Sequence, residues 1–197
     1  MGENKKIRKM RIWTEIAFCR DQTNKDLGFY YNEIIDKYEG EEYNDDWICL
    51  LDHDARFLTD KWYPTLESNI LEHGQEVKLF TCKTNRVWCP YQKVEHLYTE
   101  DRNTEHKKYA LSLERKEDPT KITILDDKSI LLSGILMVFP CRTPVKFREI
   151  GECLKVDNYF HLDMMDNGYK VALIDNLYLY HWYRYDTENV NHLKNNI

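Results

Sequence analysis

The chain has 197 residues, of which 42% are hydrophobic and 31% charged, and it carries a formal net charge of -6. That length suits one well-formed core and is short for two, so a single domain over residues 1–197 is expected, ending in a polar tail over 186–197. The acidic balance argues against a nucleic-acid partner, which usually needs a basic face, and no apolar run is long enough to cross a bilayer.

The first residues are polar and basic (Lys5, Lys6, Arg8, Lys9, Arg11) with no apolar stretch behind them, so no secretory signal is expected. Such a start suits peripheral contact with an anionic membrane face, although a solvated charged terminus is the plainer reading. Residues 10–18 read as a first strand ending at Cys19-Arg20-Asp21. Leu27, Tyr31, Ile34, Ile35 and Tyr38 then recur at helical spacing. Gly40 and an acidic stretch punctuate before a second strand over 47–51. A helix over 63–72 is stopped by Gly74, and a third strand covers 77–82.

Residues 83–127 are polar, aromatic and irregular, with a helix over 104–115; a loop this long in a compact domain is usually a binding loop or disordered. Residues 130–139 form a strongly apolar strand with Ser133-Gly134 in its middle. A helix over 157–166 closes at Asn167-Gly168, and strands over 169–174 and 177–183 follow. Strands alternating with helices predict an α/β sandwich around one mostly parallel sheet. Cysteines at 19, 49, 82, 89, 141 and 153 show no C-x-x-C pair and no zinc spacing, which predicts reduced thiols and a cytoplasmic protein.

The most informative run is Asp45 to Asp54, DDWICLLDHD, an apolar strand that delivers Asp52 and Asp54 with His53 between them. Alternate residues of an extended chain face one side, so both carboxylates can enter one cleft and hold a divalent cation together with a diphosphate. A turn in which one aspartate caps the next segment is the structural alternative. His181 ends the last strand, where a neutral imidazole suits a third ligand or simply a satisfied structural histidine. Asp157 opens a helix whose dipole favours its ionised form, and it is equally an N-cap. Ser133 and Gly134 mark either a bulge or a close approach of ligand. Trp88, with Asn85, Arg86 and Tyr91, is a sugar platform or loop packing. Arg184 suits phosphate, and Arg20 is a weaker phosphate or base contact.

In order, these features resemble the GT-A class of glycosyltransferases, and the small members of family 2 in particular. Lys25-Asp26-Leu27-Gly28-Phe29-Tyr30-Tyr31-Asn32 is similar to the family's N-L-G-x-A-Y-N helix start, and residues 46–54 to its strand plus D-x-D. Leu132 to Met137 resembles the acceptor-side strand. Val156-Asp157-Asn158-Tyr159-Phe160, followed by Asn167-Gly168-Tyr169-Lys170-Val171, is similar to the E-D-x-D/F-helix-G-Y-[KR]-[IV] block. Tyr178 to Trp182 looks like the strand that delivers a metal-binding histidine.

The resemblance implies a GT-A, Rossmann-like fold and a metal-dependent, inverting transfer from a nucleotide-diphosphate sugar, UDP-linked, to a glycan, lipid-linked or small-molecule acceptor. It implies Asp157 as general base, and Asp54, His181 and Asp52 around Mn²⁺ or Mg²⁺. Arg20, Lys25, Asn32, Asp52, His53 and Arg184 would meet the donor, and Ser133, Gly134 and Trp88 the acceptor or sugar. The sequence departs from the pattern in three places. The first strand lacks the proline-threonine-tyrosine-asparagine ending, Asp26 stands where asparagine is common, and Val156 replaces an acidic residue. No Q-x-x-R-W block of processive synthases is present. A non-catalytic binding domain on the same fold is the alternative; a nucleotidyltransferase fits less well, for want of a glycine-rich phosphate loop.

Overall fold

The computed structural model describes residues 9–17, 26–116, 118–151 and 155–182. The elements run β1 (Ile12–Ile16), α1 (Leu27–Asp36), β2 (Trp47–Leu51), β3 (Ala55–Phe57), α2 (Trp62–His73), β4 (Val77–Thr84), α3 (Asn103–Leu113), β5 (Ile122–Ile124), β6 (Leu136–Pro140), α4 (Val156–Asp166) and β7 (Lys170–His181). They build one seven-stranded open sheet in the order β1-β2-β6-β4-β7-β3, with β5 also paired to β7. β1 and β2 are parallel, as are β4 and β7, while β6 runs against both β2 and β4. The sheet is therefore mixed: β1, β2, β4 and β7 point one way, and β3, β5 and β6 oppose them.

β2 is buried along its whole length because both faces of the sheet are covered, which explains a continuous apolar run rather than an alternating one. Ile48 and Leu50 face a core made with Tyr31 and Ile35 of α1 and Phe160 and Met164 of α4. Trp47, Cys49 and Leu51 face the opposite core, closed by Leu66 and Ile70 of α2. A third cluster packs Ala110 and Leu113 of α3 on Tyr178 and Tyr180 of β7.

α1 forms where apolar spacing predicts it, and α2 and α3 where helices over 63–72 and 104–115 are expected. α4 ends at Asp166, and Gly168 follows its cap with a φ of +82° that favours glycine. Three expectations are corrected. The strand over 130–139 begins only at Leu136, so Ser133 and Gly134 lie in the segment leading into β6. The strands over 169–174 and 177–183 are one, β7, which absorbs Asp175 and Asn176 through a register shift opposite Cys82 and Lys83. The 83–127 stretch is also more ordered than expected, holding the end of β4, α3 and β5.

Among the described residues no helix is long and apolar enough to cross a membrane. Cys49, Cys82, Cys89 and Cys141 are free and buried. Two of the basic residues near the start are engaged within the chain, Lys9 with Glu67 at 3.0 Å and Arg11 with the buried Asp46 at 2.7 Å.

Candidate metal centre and active site

β2 ends at Leu51; the next residue, Asp52, donates its N–H to the Ile135 carbonyl at 3.2 Å, and the chain then turns, with Ala55 N–H donating to the Asp52 carbonyl. The turn feeds β3, which lies antiparallel on β7 with Ala55 opposite His181. Trp182 N–H donates to the Asp54 carbonyl at 3.1 Å. Backbone pairing thus carries Asp54 to the end of the last strand. Ligand atoms of Asp52, Asp54 and His181 all lie within 4.8 Å of one another. The position, at the carboxyl ends of β2 and β7, is where open α/β sheets gather ligands.

His181 is held on every side. Asn85 mimics a ladder partner, accepting from His181 N–H and donating to its carbonyl, both at 2.9 Å. The ring Nδ1 lies 2.7 Å from the Arg86 carbonyl, which can only accept, so Nδ1 carries a proton and Nε2 faces Asp54 Oδ1 at 3.3 Å. A carbonyl behind a ligating histidine fixes ring orientation in metal sites generally. The Arg86 side chain is 1% exposed and donates to the carbonyls of Trp182 (2.9 Å), Glu100 (2.8 Å), Tyr98 (3.2 Å) and His181 (3.3 Å), and to Asp101. Asn85 and Arg86 therefore brace the site and do not present a platform to sugar. Nothing in local spacing signals this, since the groups they bind lie mostly at the far end of the chain.

The electrostatics fit a cation. Burial pushes the Asp52 carboxyl up to about 6; His181 pulls against this, while Asp54 and Asp157 add to it. For Asp54, burial works upward, but the His181 hydrogen bond and charge outweigh it and leave the carboxyl below its ordinary value. For His181, burial favours the neutral ring, yet Asp54 and the Arg86 carbonyl prevail and raise it. Asp54 Oδ1 and His181 Nε2 thus face each other, at 3.3 Å, where a divalent cation would be held. Two carboxylates and one imidazole nitrogen could hold a divalent metal ion.

Asp157 approaches from α4. Its Oδ2 accepts the Gly134 N–H at 2.6 Å and its Oδ1 the Asn158 N–H at 2.9 Å. The helix dipole was expected to favour its ionised form; instead burial dominates and lifts it to about 6 against those hydrogen bonds. Its charge adds a small upward push to the Asp52 carboxyl. The 131–134 segment is sewn to α4 here. Asn158 donates to the Leu132 carbonyl at 2.9 Å, and Leu132 N–H donates to His161 Nδ1 at 3.1 Å. Ser133 is gripped by Gln92, which accepts its N–H at 2.7 Å and donates to its carbonyl at 3.0 Å.

His53 is exposed in the turn between the two aspartates, and Trp88 is exposed beyond β4. Asn32, expected at the donor, closes a reciprocal pair with the Phe147 backbone, at 2.9 Å and 2.8 Å, and braces that segment on α1. Arg20, Lys25 and Arg184 lie outside the described residues, as do the neighbours of Arg184, Tyr183 and Tyr185. Neither protein-family models nor curated proteins give a match to this chain.

Proposed function

We propose that the protein is a metal-dependent glycosyltransferase of the GT-A kind, moving a sugar from a nucleotide-diphosphate donor, UDP-linked, to a hydroxyl acceptor with inversion. The observation that carries this reading is the convergence of Asp52, Asp54 and His181 at the carboxyl edge of the sheet, with Asp157 brought into the same electrostatic field from α4. Bound there, Mn²⁺ or Mg²⁺ would neutralise charge developing on the leaving diphosphate.

Asp54 and His181 would hold the cation, and Asp52 would be shared between the cation's water and the donor's ribose hydroxyls. Asp157 takes the acceptor proton. A carboxyl near 6 is ionised at neutral pH, yet more basic than an ordinary aspartate, which suits a general base. The two hydrogen bonds from Gly134 and Asn158 fix where its oxygens point. One base opposite one leaving group supports single displacement, by analogy with inverting glycosidases.

Thermal melting against nucleoside diphosphates and nucleotide sugars, each with and without Mn²⁺, tests the donor site. Stabilisation that needs both metal and one nucleotide, and that disappears in Asp54→Ala, is the expected result. No stabilisation by any pair overturns the reading.

A further inference from the structure

Three residues on the way into β6 direct their backbone groups alternately to two sides. Leu132 N–H donates to His161 Nδ1 at 3.1 Å and its carbonyl accepts from Asn158 at 2.9 Å, both on α4. Ser133 turns the other way, with its N–H (2.7 Å) and its carbonyl (3.0 Å) both on Gln92. Gly134 N–H returns to α4 and to Asp157. That alternation is what a strand offers its neighbours, but here side chains take the place of the ladder. Alternate residues of a strand lie about 6.6 Å apart, and helix positions four apart, as Asp157 and His161 are, about 6 Å. The two spacings agree, so Leu132 on His161 puts Gly134 on Asp157.

His161 is wholly buried, and so is Leu132, whose N–H has to be paired inside the protein. An N–H can donate only to a bare ring nitrogen, so His161 is neutral with its proton on Nε2, the reverse of the arrangement at His181. Burial holds the ring below its ordinary value, against an upward pull from the Leu125 backbone. Nε2 itself is buried without a hydrogen bond of normal geometry. Filling this space alone calls for an apolar side chain, which would avoid the cost of that stranded group. What an apolar residue could not supply is the acceptor at Nδ1.

We propose that His161 is a positioning residue for Asp157: its bare Nδ1 fixes where the 132–134 segment lies along α4, and so where Gly134 N–H meets the carboxylate. The part that Asp157 plays as base rests on the glycosyl-transfer reading above.

The test uses the full metal-free chain as wild type, His161→Asn, His161→Gln and His161→Leu. Asparagine keeps an acceptor at the place of Nδ1, glutamine moves it to the place of Nε2, and leucine removes it. Nitrogen-15 NMR reads the wild-type ring, and carbon-13 NMR follows the Asp157 carboxyl through its titration. At neutral pH the ring proton is expected on Nε2 alone. Asp157 should titrate alike in wild type and His161→Asn. It should hold its proton about tenfold more tightly in His161→Gln and His161→Leu, where the Gly134 donor that favours the charged form is displaced. Equal titration in all four proteins overturns the assignment, as does a shift in His161→Asn as large as that in His161→Leu. Should His161→Leu not fold, His161→Gln makes the same comparison. Should no variant fold, the wild-type ring decides, since a proton on Nδ1 overturns the assignment. The same proteins are melted with Mn²⁺ and nucleotides. Stabilisation by metal and nucleotide with no link between His161 and Asp157 loses only this inference. The link without any nucleotide response loses the proposed function and leaves the positioning in place.

Discussion

Gly134 donates its N–H to the Asp157 carboxylate at 2.6 Å, and a Cβ added to Gly134 would fall 2.6 Å from the Asp157 Cβ. The hydrogen bond and the absence of a side chain are two parts of one arrangement. The candidate base is pressed against backbone that only glycine can offer. Gly134→Ala is expected to displace Asp157 at a stability loss of about 1–3 kcal/mol. Turnover should fall about a hundredfold, because a base moved by roughly 1 Å no longer meets its proton. Metal-dependent nucleotide binding should survive in this variant, which melting with Mn²⁺ and nucleotide checks.

Arg86 should behave as a structural arginine with a chemical consequence. Arg86→Met removes the donors to the Tyr98, Glu100, His181 and Trp182 carbonyls and strands those groups, a loss of about 3 kcal/mol in urea unfolding. The Arg86 carbonyl behind His181 is displaced with it, so Mn²⁺ affinity by calorimetry is expected to drop about 10–100-fold. Unchanged affinity in a folded variant would show that the ring needs no such support.

Asp157 should leave a signature in the pH dependence of stability. Its carboxyl sits at about 6 in the folded chain, above its ordinary value of 3.8. Between those values the folded state keeps a proton that the unfolded state has released, so stability falls as pH rises through that window. Asp157→Asn removes this component, which amounts to no more than about 3 kcal/mol. Metal-free urea melts from about pH 4 to 7 should show the variant gaining on wild type as pH rises. A difference that is flat with pH would sink the idea.

Metal binding should run the other way. Asp52, also near 6, and His181, held above its ordinary value, must both shed protons before a cation enters. Affinity for Mn²⁺ is therefore expected to climb between about pH 5 and 7, with protons released on binding. His181→Ala should remove the imidazole's share of the climb and leave that of Asp52, and Asp54→Ala should weaken binding across the whole range.

Some of this was legible in the sequence because it rests on local rules. An apolar run gave β2 and therefore the place of Asp52 and Asp54, and Gly168 gave the end of α4. β3 and β5 escaped notice because three residues are too few to show a period. Asp175 and Asn176 read as a break because polarity alone does not reveal a register shift that keeps β7 continuous. Asn85, Arg86 and Gln92 were unreadable as braces, since their partners are set by tertiary pairing. For Asp157 the dipole was visible in sequence, but the burial that outweighs it was not.

The three-residue β3 has an effect out of proportion to its length. By lying on β7 it joins carboxylates from early in the chain to an imidazole from the last described strand, across a ladder that neither possesses alone. During synthesis, Asp52 and Asp54 would wait without their third partner until β7 had been made and docked. A cation captured there would act as a clasp, closing only on a finished sheet. Mn²⁺ uptake by successively longer nascent chains would time that moment.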